Sequence, residues 1–525
     1  MLFYPYPPPR ILPGIQYGLR GCRTPSGHLV VTHVCSLSSD DVSKDDLIGV
    51  AVLSTAALEP NTDLVLIVNE AGYPMEPTSL MKIHPVVLYR PVDYQSHHLY
   101  SLFPLDVGIP FGRDRISPLR SDGGTGQVLE VINTFGRPTS KRRHNFYAPR
   151  ITIPSSVSLC SRALQSICLS SVSAVPSYIK GMSTTVDQIS HRASAIALLH
   201  SQAPTHEHRP ELNNVYDRSR YINFYNIIWL VLNDFIFGWT IGSILCENEN
   251  YLGTLALKFL KKYTVELPKS AMEWLNSWPL GFKLNTDLSL FFASTFSFII
   301  SKWDHIVLKV ISNYLSQTIF VLGSIGIWGG GLTAMLAVLS DLLSLSMVHL
   351  YVTYRLATVI FGGMKNILGG LFDVFRGKRK NVLRNRLDSF DYSIDQLLLG
   401  TVLFTLSLFL FPTVLAYYLC FSLMRSAVLA AQAMIGICLA LLNRFPLFAI
   451  MLRLKDPNRL PGGISLRVVH PKDAQGTGYL MLDTQPISFR HLFSTHLSRS
   501  GQPLARLDPI RLVHLIVQGK VLSTN

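Results

Sequence analysis

From residue 221 onward the chain contains long apolar runs, which limit its possible folds more than any other feature. A helix needs about 20 mostly apolar residues to cross the hydrocarbon core of a bilayer, so these runs predict several membrane crossings. We expect about six spans, at residues 221–245, 288–300, 317–339, 342–363, 397–424 and 427–451. The run at 288–300 is short enough to be an interfacial helix instead.

The composition agrees with a membrane protein and argues against nucleic-acid binding. Charged residues make up only 15% of the chain, and the mean hydropathy is +0.29. A net charge of +14 would suit nucleic acid in a soluble protein, but here the basic residues flank apolar runs. That arrangement is typical of contact with anionic lipid head groups. We therefore expect membrane lipids, and no nucleic acid, among the partners.

The expected fold class is a polytopic α-helical membrane protein with an N-terminal cytosolic α/β domain and a small C-terminal cytosolic tail. Short strands are predicted in the N-terminal domain, at 28–35, 47–53, 64–69, 86–89 and 128–132. The predicted domains are a cytosolic α/β domain, an amphipathic helical connector, a transmembrane bundle and a C-terminal segment, at 1–150, 151–220, 221–454 and 455–525. Within the connector, the helical pattern at 158–202 suits a membrane surface, a partner or an ordinary core.

Clusters of basic residues set the expected orientation. They lie at 141–150, 209–220, 376–386 and 453–459, and six spans place all of them on one side of the membrane. By the positive-inside rule that side is the cytosol, so both termini are predicted to be cytosolic. The lysines between 258 and 283 do not fit this scheme unless their segment lies at the interface.

The search for catalytic motifs gives mostly negative results. No two aspartates are two residues apart, and no two glutamates are eight apart, so two patterns common in sugar-nucleotide transferases are missing. The seven cysteines include no CxxC pair, which argues against a zinc site. We therefore predict no catalytic residue, no metal ligand and no cofactor in this chain.

Some polar and small residues inside the apolar runs stand out. Asp341 and His349 are eight residues apart and would share one side of a continuous helix. They form either a lipid head-group or proton site, or interhelical hydrogen bonds near a span boundary. Asn233 and Asp234 stand out as well. Gly326 and Gly330 have the spacing that permits close helix approach.

Residues 376–386, called here the basic segment, lie directly before an apolar run. Its six cations are Arg376, Lys378, Arg379, Lys380, Arg384 and Arg386. Such a cluster either fixes the topology or docks the head group of phosphatidylinositol or an acidic face of a partner. The residue pattern alone leaves both interpretations open.

The basic segment also carries a family resemblance. FRGKRKNVLRNRLDSFDYSIDQLLLGTVLF, at 375–404, continues into TLSLFLFPTVLAYY. Together with WPLGFKLN at 278–285, the Lys302-Trp303-Asp304 turn and the Asp341–His349 pair, it resembles the Q-subunit family of phosphatidylinositol N-acetylglucosaminyltransferase. The resemblance covers about residues 221–454.

This resemblance implies a subunit of the endoplasmic-reticulum complex that begins glycosylphosphatidylinositol (GPI) anchor synthesis. The complex transfers N-acetylglucosamine from the UDP-sugar to phosphatidylinositol. The resemblance further implies that another subunit is catalytic and that this chain is a non-catalytic scaffold. The expected partners are therefore the other subunits, including the catalytic one, together with phosphatidylinositol and membrane lipids.

Two other functions remain as alternatives. One is a lipid-modifying transferase that uses Asp388, Asp391 or Asp395, whose spacing would place them on one helical face. Helix-start capping explains these aspartates without catalysis. The other alternative is a transporter, but no internal repeat is evident and intramembrane charges are few.

Overall fold

The computed structural model describes the helical half of the chain most fully. The described residues are 1–8, 17–36, 47–52, 65–69, 71–74, 86–92, 98–105, 107, 124–135, 183–202, 215–277, 281, 284–381, 386–470, 479–493 and 509–519. The chain divides into two compact units. The first combines Met1–Ile167, Ser194–Trp229 and Pro446–Leu497, and the second combines Cys168–Ala193, Leu230–Phe445 and Ser498–Asn525. Each unit therefore joins segments that are distant in the sequence.

The described strands form one large sheet and one separate hairpin. They are β1 (Leu2–Pro5), β2 (Tyr17–Arg23), β3 (Leu29–Ser36), β4 (Leu47–Val52), β5 (Val65–Ile67), β6 (Val86–Tyr89), β7 (Lys378–Asn381), β8 (Arg386–Ser389), β9 (Pro461–Val469) and β10 (Tyr479–Pro486). The eight-stranded sheet has the order β5-β4-β2-β3-β1-β6-β10-β9, and β7 pairs with β8 alone.

The described helices contain most of the apolar runs. They are α1 (Gly124–Phe135), α2 (Thr184–Gln202), α3 (Val215–Glu247), α4 (Glu249–Lys261), α5 (Leu267–Asn276), α6 (Thr286–Trp303), α7 (Lys309–Ile325), α8 (Gly331–Ser346), α9 (Val348–Phe375), α10 (Ile394–Arg444), α11 (Leu447–Lys455) and α12 (Pro509–Gln518). Within the predicted connector, residues 151–182 lie outside the described residues, so its helical part is seen only from α2 onward.

The large sheet belongs to the first unit and is covered on both faces. Successive residues of a strand point to opposite faces. Accordingly, Leu2 and Tyr4 belong to one buried cluster and Phe3 to another. The second cluster includes Val128 and Ile132 of α1. Four of the five predicted strands are confirmed, as β3, β4, β5 and β6.

The predicted strand at 128–132 is wrong, because α1 runs through it. Val128, Leu129 and Ile132 are all at most 4% exposed. Their spacing of one and then three residues places them on one face of a helix, whereas a strand would divide them between two faces. The apolar run at 128–132 is too short for its spacing to distinguish a helix from a strand. Its packing against the sheet favours the helix.

The sheet is completed by strands that follow the helical region. β10 pairs with β6 in parallel, with Leu480 opposite Val87 and Leu482 opposite Tyr89, and β9 pairs with β10. The hydroxyl of Tyr479 donates to the carbonyl oxygen of Pro74 at 2.7 Å. Part of the expected C-terminal tail is therefore built into the same sheet as the N-terminal strands.

Four helical stretches of the described chain are long and apolar enough to cross a membrane. They are Tyr221–Glu247, Thr286–Ser346, Val348–Phe375 and Ile394–Arg444. The first includes the predicted span at 221–245. The second takes in the predicted runs at 288–300 and 317–339. The protein is thus mostly helical, with candidate spans between residues 221 and 444 and a sheet formed from strands on both sides of that region.

α10 differs from the sequence prediction in its length. We expected one span to end at residue 424 and another to begin at 427, but α10 continues through Arg425 to Arg444 without a break. Its 51 residues correspond to about 75 Å at 1.5 Å per residue, more than the ~30 Å hydrocarbon core. Pro412 lies inside the helix, and the helix ends just before Pro446.

α9 and α10 lie side by side and antiparallel in the second unit. Tyr351 near the start of α9 contacts Arg425, the Phe361 ring stacks on Tyr418 at 4.3 Å, and Phe375 near the end contacts Phe404. α6 joins them through a cluster of fully buried aromatic side chains that includes Phe296, Tyr417 and Phe421. Large aromatic groups therefore fill the core of the second unit.

Candidate functional site

The basic segment folds as a tight β-hairpin between α9 and α10. α9 stops where Gly377 takes a φ of 65°, a left-handed conformation that commonly ends helices. β7 and β8 then pair with Lys378 opposite Ser389 and Arg379 opposite Asp388. A capping box of Ser393 and Gln396 starts α10. Local backbone signals on both sides thus fix the hairpin in the connection between two long helices.

The described cations of the hairpin are exposed or half-buried, and three of them have close neighbours. The Arg376 guanidinium lies 5.7 Å from the Phe372 ring, and that of Arg379 lies 5.1 Å from Phe390. Arg386 Nε pairs with Asp388 Oδ1 at 2.7 Å. Cation–π contacts use no N–H donor in a conventional hydrogen bond, so such arginines can still bind an anion. Arg384 and the side chain of Lys380 lie outside the described residues.

The three aspartates of the alternative transferase site do not share a helical face. Asp388 is in β8 and pairs with Arg386, Asp391 lies between β8 and α10, and Asp395 is in the first turn of α10. The prediction of one acidic helical face is therefore wrong, because the helix begins only at Ile394. In the described part of the chain, no three His, Cys, Asp or Glu side chains are placed to hold a metal ion.

Asp341 and His349 are on different helices. α8 ends at Ser346 and α9 begins at Val348, with Met347 in a non-helical conformation between them. The continuous helix assumed for this pair is therefore wrong. His349 Nε2 lies 2.9 Å from the carbonyl oxygen of Thr264, and its ring stacks on Trp303. This histidine connects three helical segments of the second unit.

Asp341 binds the beginning of α2. Its carboxylate accepts hydrogen bonds from the Ser183 hydroxyl at 2.6 Å, from the Thr184 hydroxyl and amide at 2.6 and 2.9 Å, and from the Thr185 amide at 3.0 Å. The first amides of a helix lack partners within the helix, and a negative charge there also suits the helix dipole. Asp341 is thus a cap supplied by another part of the chain.

A second polar contact holds α2 at Arg192. Its guanidinium forms an ion pair with Asp234 of α3 and donates to the Thr333 hydroxyl at 2.8 Å. Asp234 in turn accepts the Thr333 amide at 2.8 Å. Burial lowers the pKa of Arg192 from its usual high value, yet a guanidinium stays charged in proteins. We call the contacts of α2 with Asp341, Asp234 and Thr333 the α2 clasp.

A reciprocal amide pair joins α2 to α10 beside the α2 clasp. Gln188 Nε2 donates to Asn443 Oδ1 at 3.0 Å, and Asn443 Nδ2 donates back to Gln188 Oε1 at 2.8 Å. Burial, followed by the positive charge of Arg444, lowers the pKa of the neighbouring His191. The sequence indicated Asp234 and Asp341 as unusual polar residues. It gave no sign of their partners on α2.

The predicted glycine pair lies where α3 meets the α7–α8 connection. A Cβ at Gly326 would lie 2.6 Å from the carbonyl oxygen of Gly238, so a side chain there would separate the two backbones. Gly330 lies in the irregular segment Gly326–Gly330, where Gly329 has a φ of 104°. Gly326 therefore serves close helix approach, whereas Gly330 serves the connection itself.

Comparisons with known proteins find components of N-acetylglucosaminyl-phosphatidylinositol synthesis. The family model described as N-acetylglucosaminyl transferase component (Gpi1) matches residues 186–462, which is slightly more than half of the chain. This range takes in most of α2, all the long helices and the basic hairpin. No solved structure matches the chain.

Curated relatives carry related names. The chain is 36% identical over 308 residues to the N-acetylglucosaminyl-phosphatidylinositol biosynthetic protein gpi1 of Schizosaccharomyces pombe, covering 57% of this chain and 46% of the relative. It is 35% identical over 312 residues to the phosphatidylinositol N-acetylglucosaminyltransferase subunit GPI1 of Saccharomyces cerevisiae, covering 58% and 50%. It is 30% identical over 328 residues to subunit Q of Mus musculus, covering 62% and 54%. The matched region thus spans about half the length of these relatives.

Proposed function

The chain belongs to the Gpi1 family of N-acetylglucosaminyl transferase components, and from this premise we propose that it is a membrane subunit of the corresponding complex. That complex transfers N-acetylglucosamine from UDP-N-acetylglucosamine to phosphatidylinositol, which is the first step of GPI-anchor synthesis. The observation that carries the proposal is the family match over residues 186–462, which includes Arg192, Asp234 and Asp341 of the α2 clasp, the long helices and the basic hairpin. The names of the relatives support the same activity.

The role of this chain is that of a non-catalytic scaffold. The scaffold role is supported by the buried polar groups of the helical region, which bind other helical segments. Asp234, Asp341 and His349 each bind another helical segment of the second unit. Polar groups are costly in a membrane unless they are paired, and here these pairs hold helices together. The helices thereby present a fixed surface to the other membrane subunits.

The chain lies in the endoplasmic-reticulum membrane with both termini in the cytosol. β6 and β10 pair in one sheet, so the residues between them must cross a membrane an even number of times. α10 is one unbroken helix and crosses the membrane once, so the basic hairpin before it does not share the cytosolic side with the termini. The expectation that every basic cluster faces the cytosol assumed two spans there and is not kept for the hairpin. The sheet then supports the catalytic subunit on the side where the UDP-sugar is available. The basic hairpin contacts the phosphate of phosphatidylinositol or an acidic face of a partner.

The test is genetic replacement followed by an assay of the assembled complex. Cells that lack this chain should lose transfer of N-acetylglucosamine to phosphatidylinositol in isolated membranes, and the wild-type chain should restore it. The variant Arg376→Glu/Arg379→Glu should restore less than about a tenth of that activity, because two charge-assisted contacts are reversed. Arg490→Glu, an exposed cation in the first unit, is the control and should restore full activity.

The purified chain alone should show no transfer. Transfer by the isolated chain would replace the scaffold role with a catalytic one, and flux of a solute through liposomes would indicate a transporter. Full restoration by the charge-reversed chain, with normal recovery of the complex, would exclude the docking role of the basic hairpin while leaving complex membership intact.

A further inference from the structure

Arg425 is a buried cation in the interior of α10. It is 8% exposed, although the helix around it is strongly apolar. Its guanidinium lies 5.0 Å from the centre of the Tyr351 ring on α9. Among the described residues no carboxylate pairs with it, and its buried Nε has no hydrogen-bond partner there. The neutralising group for this charge is therefore not found among the described side chains.

An unneutralised guanidinium in such a position is costly. Removing a charge from water into an apolar bundle is unfavourable unless an opposite charge or several hydrogen bonds compensate. A tyrosine ring compensates the charge in part through its π face, but it leaves the N–H donors of the guanidinium without hydrogen-bond acceptors. The guanidinium binds carboxylates and phosphates in a bidentate geometry, and phosphates are the anions that the lipid head groups of a bilayer supply.

Contacts between helices place Arg425 level with a set of exposed lysines. Tyr351, its neighbour, follows His349 by two residues, and His349 binds Thr264 and stacks on Trp303. Arg425 therefore lies at the level of the α4–α5 and α6–α7 connections. The exposed lysines around these connections are Lys258, Lys261, Lys262, Lys302 and Lys309. We call this group the lysine belt.

The lysine belt indicates where lipid phosphates lie. Cations and aromatic residues concentrate at the boundary between hydrocarbon and water, and exposed aromatic side chains accompany the belt, namely Phe259, Tyr263 and Phe298. Lys262 and Lys302 contact two of these rings, Tyr263 and Phe298. The hydroxyl of Thr264, which is 1% exposed, is a second buried polar group without a described partner at this level.

From these observations we infer that Arg425 binds the phosphate of a phospholipid that inserts beside α9 and α10 at the level of the lysine belt. The ligand is a phosphodiester carried by a lipid, with its acyl chains along the exposed apolar surface of α10. The lysine belt attracts the anionic head group, and Arg425 holds its phosphate. This inference does not depend on the proposed transferase complex, since it concerns lipid held by the chain itself.

The experiment is lipid retention by the purified full-length chain. The chain is purified in mild detergent, incubated separately with phosphatidylinositol, phosphatidylglycerol or diacylglycerol of the same acyl chains, and analysed by native mass spectrometry. Both phospholipids should be retained, because they share the phosphodiester, and diacylglycerol should not. Equal retention of diacylglycerol would overturn the inference. Competition by inorganic phosphate as effective as that by phospholipid would replace the lipid with a free anion and also overturn it.

Three variants test Arg425 itself. Arg425→Gln should weaken phospholipid retention about tenfold or more, because a charge-assisted bidentate contact is lost. Arg425→Lys keeps the positive charge but lacks the planar guanidinium, so it should give intermediate retention. This variant keeps the test informative if the glutamine variant does not fold. Arg355→Gln removes an exposed cation one turn from Tyr351 and should retain lipid normally. Unchanged retention in folded Arg425 variants, or an equal loss in Arg355→Gln, would overturn the assignment.

Discussion

At the scale of single residues, Asp234 shows how one buried carboxylate holds distant parts of the second unit. It is 5% exposed, accepts hydrogen bonds from the amide and hydroxyl of Thr333 and forms an ion pair with Arg192. The sequence indicated Asp234, because a carboxylate inside an apolar run is unusual. It could not indicate Arg192, which lies in an ordinary polar stretch and is recruited only by tertiary packing.

Replacing Asp234 with asparagine should destabilise the second unit by about 3 kcal/mol, because it leaves the partly buried Arg192 without a counter-charge. The measurement is thermal unfolding of the purified chain in detergent, with Glu247→Gln, an exposed change on the same helix, as control. The double variant Arg192→Met/Asp234→Leu should be less damaged than the single one. Additive damage in the double variant would argue against coupling between these two side chains.

At the scale of elements, the backbone carries signals for two helix ends that the hydropathy prediction did not use. The predicted spans ended at residues 363 and 451, whereas α9 ends at Phe375 and α10 at Arg444. Pro446 sets the end of α10 and Gly377 the end of α9, both through restricted or unusual backbone conformations. Arg425 gave a misleading signal, because a charge often marks a span boundary but does not interrupt helical hydrogen bonds. The cap that Asp341 supplies to α2 could not be foreseen, since it joins residues about 157 positions apart.

Asp341→Ala should loosen the beginning of α2 without unfolding the second unit. The loss of several hydrogen bonds to a cap costs about 2 kcal/mol. That cost corresponds to roughly 30-fold faster hydrogen exchange at the Thr184 and Thr185 amides. Hydrogen exchange followed by mass spectrometry measures this directly. Leu345→Ala, an exposed change on α8, should leave both amides protected. Unchanged exchange in Asp341→Ala would show that α2 is held by its other contacts.

At the scale of the whole molecule, both ends of the described chain contribute to one sheet. The strands at 28–89 could be predicted from their local apolar alternation. The pairing of β10 with β6 could not, because residues nearly 400 positions apart in sequence carry no local sign of their register. The candidate spans followed from length and hydropathy, whereas their packing followed from aromatic and glycine contacts that only the structure reveals.

Ending the chain after Leu460 should expose β6 as an open edge and weaken the whole sheet. The truncation removes Tyr479, Met481 and Leu482, each at most 4% exposed. Trypsin cleavage within residues 1–135, followed by mass spectrometry, should become at least tenfold faster. A chain ending after Phe493 lacks α12 but keeps β9 and β10, and its sheet should remain protected. Equal cleavage of the two truncated chains would show that the N-terminal strands are stable without β10.

The same sheet has a consequence for the order of events during synthesis. β6 leaves the ribosome long before β10, and at ~5–20 residues per second the delay is on the order of 20–80 s. During that time the helical region is being inserted, and the edge of β6 that later receives β10 has no neighbour. Open edges attract foreign strands, so we expect the nascent N-terminal strands to be prone to wrong pairing until β10 has been made.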